Sequence, residues 1–245
     1  NGLISIEVTN HHASATIQLQ GAHISAWTLH DQPAVIWLSD DAVFAVGKSL
    51  RGGIPICWPW FGAHESDTSL PAHGFARTVE WQVIATRLLD DDVVQLVFRL
   101  INDEAGRSMW PCPTVLDYTV TIGKTLTLDL MTHNVGAGAI TIGDALHTYF
   151  NVSDVRKVSI AGLDGCDYLD KVEAFKRKQQ SGLVTINQEV DRVYLDTPDD
   201  LVIDDKQRRL VIKKQGSNST VVWNPWKDVA EKMGDLGEDG YLKML

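Results

Sequence analysis

The sequence predicts an all-β protein, a large twisted antiparallel β-sandwich with little helix. Runs of five to ten residues place apolar side chains at alternate positions, the period of a strand with one buried face. Glycine, proline, asparagine and aspartate punctuate these runs at short intervals. Only one stretch, WKDVAEKMGDL at 226–236, carries a helical turn, and Gly234 and Gly237 limit it. Many short strands with turn signals between them read as a sandwich.

Taken in order, Ile4, Ile6 and Val8 share one face, and ATIQL at 15–19 repeats the alternation before Gly21. AWTL and VIWL flank His30-Asp31-Gln32-Pro33, which predicts a hairpin. EWQVIATRL and VVQLVFRL follow, the second with Val94, Leu96, Phe98 and Leu100 in phase; Asp90-Asp91-Asp92 between them reads as a solvated turn. DYTVTI and TLTLDLMTHN join through Gly123-Lys124, a second hairpin. Residues 140–150 read as a strand carrying His147 near its end. KVSIAGL continues the pattern, EAFKRKQQSG reads as a short helix or a charged loop, and LVIDD, RRLVIKK and STVVW supply the late strands. No fixed-period repeat or low-complexity linker interrupts the chain, so residues 1–245 are expected to form a single domain. Both ends read as trimmed: the chain opens on Asn1, and the closing YLKML reads as a strand cut in its middle.

The 245 residues, 44% hydrophobic, suffice for a sizeable core. A net charge of −10 and a pI near 5.2 argue against nucleic acid or an anionic membrane as partner. No apolar run approaches the roughly 20 residues that span a bilayer, and no signal peptide opens the chain. Cys57, Cys112 and Cys166 are odd in number, without close pairing or metal spacing, which fits a reducing cytoplasm. Without a secretion signal, the glycosylation patterns at Asn151 and Asn218 read as chance.

Polar chemistry concentrates in Arg51 to Arg77, RGGIPICWPWFGAHESDTSLPAHGFAR. Gly52-Gly53 lets the backbone approach another group closely, and three prolines stiffen the stretch. Arg51 and Arg77 offer forked donors suited to phosphate or carboxylate, and His73 can donate or accept a proton near neutral pH. Trp58, Trp60 and Phe61 could cover a sugar face. Singly, each aromatic equally fits a core and each arginine an acid partner; together they read as one wall of a small-molecule site. Other chemistries have less support. No G-x-S-x-G nucleophile elbow is present, Cys57 has no base that sequence can place, and Asp144 with Asp191 is an unsupported glycosidase pair. His73 and His147 lack helical metal spacing, so neither metal nor cofactor is expected.

RGGIPICWPWFG at 51–62 and PAHGFAR at 71–77, followed in order by DALHTYFNV at 144–152, DRVY at 191–194 and VVWNPW at 221–226, resemble the hexose-6-phosphate mutarotase (glucose-6-phosphate 1-epimerase) branch of the aldose 1-epimerase superfamily. The resemblance implies the galactose mutarotase-like supersandwich. It also implies an isomerase that exchanges the α and β anomers of an aldohexose 6-phosphate by acid/base opening and reclosure of the ring. It makes His147 the acid and His73 the second histidine at the sugar, and it gives Asp191 the ring hydroxyls. Arg51 and Arg77 take the phosphate, and Trp223, Asn224 and Trp226 complete the wall. On residues alone each retains a structural reading: a core or loop-bracing histidine, an aspartate capping a turn or pairing with Arg192, a Trp-Asn-Pro-Trp turn. The family's general base is a glutamate shortly after the segment resembling GYLKML, and is expected just beyond Leu245. The protein is expected as a monomer or weak homodimer. Two alternatives stand beside this one: a non-catalytic sugar-phosphate binding or sensing protein on the same fold, and an epimerase of neutral sugars.

Overall fold

A computed structural model describes residues 2–102 and 104–245. With 41% strand against 9% helix the chain is all-β, as its alternation predicts. Every ladder between its named strands is antiparallel. Its contacts gather into two compact units, residues 1–38 with 42–149 and residues 39–41 with 150–245.

In the first unit, β1 (Ser5–Thr9), β2 (Ala13–Gln18) and β3 (His23–Leu29) form a three-stranded meander. A two-residue strand, β4 (Ile56–Cys57), comes next in the chain. A four-stranded sheet follows: β5 (Gln82–Leu88), β6 (Val94–Ile101), β7 (Thr114–Ile122) and β8 (Leu126–Asn134). Alternation decides which face is core. Phe98 lies opposite Tyr118 and Leu96 opposite Val120, and all four are buried, with Phe98, Leu96 and Val120 contributing roughly 1.5–3 kcal/mol each. Asp90–Asp92 makes the expected turn, with Asp91 and Asp92 in left-handed backbone. Gly123-Lys124 closes the β7–β8 hairpin in the register Ile122 to Leu126. A short helix, α1 (Glu104–Met109), interrupts the strands without a sequence signal.

The expected hairpin across His30–Pro33 does not form a ladder. Val35 donates one backbone bond to the Trp27 carbonyl, and Leu38 instead bridges Gly52. The strand expected over 140–150 is likewise only β9 (Ala145–Leu146), paired with β4.

The second unit holds β10 (Ser159–Ala161), β11 (Asp167–Asp170), β12 (Lys176–Gln179), β13 (Val184–Thr185), β14 (Val190–Leu195), β15 (Leu201–Asp204), β16 (Arg209–Ile212) and β17 (Ser219–Asn224). They form two four-stranded sheets, ordered β13-β10-β15-β16 and β12-β11-β14-β17. Ile160, Leu163, Val190, Tyr194, Ile203 and Val222 are among the buried residues of its core. The segment EAFKRKQQSG contains β12, neither helix nor simple loop. An exposed edge strand needs no apolar face, and its cations pair across to β11, Arg177 with Asp167 at 2.7 Å and Lys178 with Asp170 at 2.9 Å. The predicted helix at 226–236 narrows to α2 (Trp226–Ala230). YLKML is not a single strand: α3 (Gly240–Lys243) precedes Met244 and Leu245, which pair with Asn151 and Phe150. Among the described residues no helix is long and apolar enough to cross a membrane.

Candidate active site

The site is built on a short backbone ladder in the first unit. Beyond β4 and β9 the two chains keep exchanging bonds: His147 N–H donates to the Pro55 carbonyl at 3.0 Å and Tyr149 N–H to the Gly53 carbonyl at 2.9 Å. Trp37 N–H in turn reaches the Tyr149 carbonyl at 2.8 Å, and Gly53 N–H the Trp37 carbonyl at 2.7 Å. Gly53 makes this crossing possible. It sits at φ +70°, and a Cβ there would meet the Ile24 carbonyl at 2.6 Å and overlap the His23 ring. The rings of His147 and Tyr149 stack, with centroids 4.8 Å apart and planes 20° from parallel.

His73 arrives from the loop that follows Phe61. Its N–H donates to the Gly62 carbonyl at 2.7 Å, and the Gly62 amide donates to its Nδ1 at 3.2 Å. Because Nδ1 accepts, the neutral ring carries its proton on Nε2, a donor. His73 holds a left-handed backbone at φ +67°, immediately before Gly74 at φ +69°. Its ring meets His147 edge to face at 6.1 Å and Phe61 at 5.0 Å. Two imidazoles thus lie side by side, with Tyr149 flanking one and Phe61 the other.

The arginines adjoin this pair. Arg51 Nη1 donates to the Tyr149 hydroxyl at 3.3 Å, and Arg77 Nη2 to the Ala72 carbonyl at 2.8 Å. Burial lowers the Arg77 pKa, and the positive charge of Arg51 lowers it further. Burial pushes the Tyr149 phenol up, against the pull of both guanidiniums. Two cations close enough to oppose each other make an environment that an anion relieves. Cys57 is fully buried and its thiol is pushed up to about 11, chiefly by burial, so it stays protonated and is no nucleophile.

Of the aromatics, Trp58 belongs to the core: it is wholly buried, edge-on to Phe75 and Trp110, and donates its indole N–H to Thr132 Oγ1 at 3.1 Å. Trp60 is nearly buried and donates to the Pro71 carbonyl at 3.0 Å. Phe61 alone of the three keeps an accessible ring beside the histidines. Tyr149 and Trp37, which stack at 5.9 Å, were not among the sequence-derived candidates. Tyr149 sits inside the His147 motif, the one signal that could have pointed to it.

Asp191, Trp223 and Asn224 lie in the second unit, where Asp191 on β14 faces Trp223 on β17. The Asp191 partner is neither a turn nor Arg192: Lys171 Nζ lies 2.7 Å from its Oδ2, with both side chains mostly buried. Asn224 is fully buried; its Nδ2 donates to the carbonyls of Tyr241 at 2.8 Å and Met244 at 3.0 Å, and its Oδ1 accepts from Trp226 N–H. Its amide braces the segment that ends in Leu245.

The aldose 1-epimerase family model matches residues 5–245. An Escherichia coli (strain K12) protein named "Putative glucose-6-phosphate 1-epimerase" is 39% identical over 239 residues, 96% of this chain and 79% of its own length. A protein of the same name from Cenchrus ciliaris is 34% identical over 244 residues, 94% of this chain and 73% of its own. A crystal structure from Salmonella typhimurium, described as a "putative mutarotase (YeaD)", superposes with a TM-score of 0.92 at 38% identity, over 99% of this chain and 81% of that one. A galactose mutarotase-like protein from Lactobacillus casei shares the fold at 13% identity and a TM-score of 0.76. The chain therefore belongs to the aldose 1-epimerase family and is an isomerase of that type.

Proposed function

We propose that the protein interconverts the α and β anomers of glucose 6-phosphate. The juxtaposition of the His73 and His147 imidazoles beside two arginines, all within one compact unit, carries this reading. His147 donates a proton to the ring oxygen as the C1–O5 bond breaks, while a base removes the proton of the anomeric hydroxyl and C1 becomes an aldehyde. Rotation about C1–C2 turns the other carbonyl face to O5, and on reclosure the two groups exchange roles: His147 takes its proton back from the O5 hydroxyl and the base returns its proton to the carbonyl oxygen. Every electron pair that leaves on opening returns on closing, so the reaction needs neither oxidant nor reductant. His73 donates through Nε2 to a sugar oxygen, and Arg51 and Arg77 hold the phosphate.

The family resemblance alone assigns Asp191 to the substrate hydroxyls and Trp223 to the wall of a single catalytic domain. It likewise assigns the base to a glutamate after the Gly240–Leu245 segment. Asn224, bonded wholly to its own unit, acts as a brace. The three free thiols support a cytoplasmic setting.

Anomer exchange of glucose 6-phosphate, followed by magnetisation-transfer NMR, tests this with these 245 residues and with the gene product that contains them. Accelerated exchange supports the mutarotase. Binding of the sugar phosphate by both folded proteins without acceleration by either replaces it with the binding-protein reading.

A further inference from the structure

We propose that Tyr149 is a positioning residue that serves the two halves of the site with different atoms: its ring sets the plane of the His147 imidazole and its hydroxyl sets the Arg51 guanidinium. The assignment rests on the mutarotase reading for what those two groups do, but not for the geometry. Tyr149 stacks with two rings, Trp37 at 5.9 Å and 27° and His147 at 4.8 Å and 20°. Its backbone is fixed at both ends of the peptide, N–H to the Gly53 carbonyl and carbonyl to Trp37 N–H. The residue is 4% exposed, so the ring has no room to turn. A ring held this firmly transmits its orientation to the imidazole stacked on it, and ring stacking of this kind has a preferred offset geometry.

The hydroxyl performs the second task. It accepts from Arg51 Nη1 at 3.3 Å, and Arg51 shares its field with Arg77. A long arginine side chain loses considerable rotamer freedom when it is ordered. The phenol bears part of that ordering before an anion arrives, and pre-ordering of this kind raises affinity. The Arg51 anchor and the acid are therefore located by one side chain. The phosphate end and the reacting end of the substrate are thus held at a fixed separation by a rigid ring.

The two tasks separate by substitution. Tyr149→Phe keeps the ring and removes the hydroxyl; Tyr149→Leu removes both. Inorganic phosphate titrated into protein labelled with ¹⁵N-histidine reads both effects without any turnover. Tyr149→Phe is expected to weaken phosphate binding about 3- to 10-fold, the size of one ordinary hydrogen bond, with the His147 ring resonances close to their wild-type positions. Tyr149→Leu is expected to move those resonances as well. In anomer exchange the loss for Phe falls on KM, whereas for Leu it falls on both KM and kcat, of which Phe restores kcat. Unchanged phosphate affinity in Tyr149→Phe, or His147 resonances displaced equally by Phe and Leu, overturns the assignment; so does a wild type that binds no phosphate. Should Leu prevent folding, Tyr149→Met, which also removes both ring and hydroxyl, takes its place. If the wild type binds phosphate but exchanges no anomers, the mutarotase reading falls while the titration still tests Tyr149.

Discussion

The imidazoles of His73 and His147 meet edge to face, 6.1 Å between centroids at 83°, although one stands on a left-handed loop and the other follows a two-residue strand. Their fixation differs in kind. The Gly62 amide holds His73 in the tautomer that donates through Nε2, whereas a stacked tyrosine orients the ring of His147. Removing the imidazole of His147 takes away the proposed acid and leaves both guanidiniums in place. His147→Ala is expected to lower kcat for anomer exchange by about 10²–10⁴, with phosphate affinity within about twofold of wild type. A fully active, folded His147→Ala would remove His147 from the chemistry.

The phosphate role proposed for Arg77 predicts a difference between phosphorylated and neutral substrates. Its guanidinium is half-buried, bonded to the Ala72 carbonyl, and lies within the field of Arg51. Loss of a charge-assisted bond costs on the order of 1.5–3 kcal/mol, so Arg77→Met is expected to raise KM for glucose 6-phosphate about 10- to 100-fold. KM for glucose should change far less. Equal losses for both sugars would make Arg77 structural and favour the neutral-sugar alternative.

The sequence announced strands more clearly than it announced the site. Alternation located β6 and β7 because one face of each is buried against apolar neighbours, and Gly123-Lys124 revealed their hairpin partner. The edge strand β12 escaped because solvent on both faces imposes no period. The histidine motifs were visible as words, yet nothing local says that residues 37, 53 and 149 meet through their backbones, since that crossing depends on chain segments far apart. Burial likewise had to be seen. Trp58 and Phe61 look alike in sequence, but one is core and the other flanks His73. Asn224 reads as a ligand group until its amide is found bonded to the Tyr241 and Met244 carbonyls.

Gly74 is the point on which the His73 loop turns. It bridges Trp58 at φ +69°, and a Cβ there would overlap the Trp58 carbonyl and peptide. Gly74→Ala adds a left-handed alanine to that overlap and is expected to cost about 3 kcal/mol or more. Gly138, with open space around its Cβ position and no left-handed backbone, is the control: Gly138→Ala should stay within about 0.5 kcal/mol. Urea denaturation of both variants measures the difference, and equal midpoints would show that the loop adapts.

His23 makes the fold acid-sensitive in a defined window. It is fully enclosed beneath Gly53, and its Nε2 has no hydrogen-bond partner. Burial lowers its pKa from 6.5 to about 4; a bond with the Gly52 backbone opposes the shift and the charge of Arg77 adds to it. The unfolded chain therefore binds the proton more readily than the folded one. Stability from this group is complete above pH 6.5 and declines as pH falls toward 4, by about 3 kcal/mol in total at about 1.4 kcal/mol per unit. Asp117 and Asp154, whose pKa values are lowered below 3.8 by Arg99 and Arg156, lose their contributions mainly at still lower pH. Urea midpoints measured between pH 7 and 4 should fall steeply in the wild type and much less in His23→Gln, where no proton is taken up. The same slope in both proteins would place the acid sensitivity elsewhere.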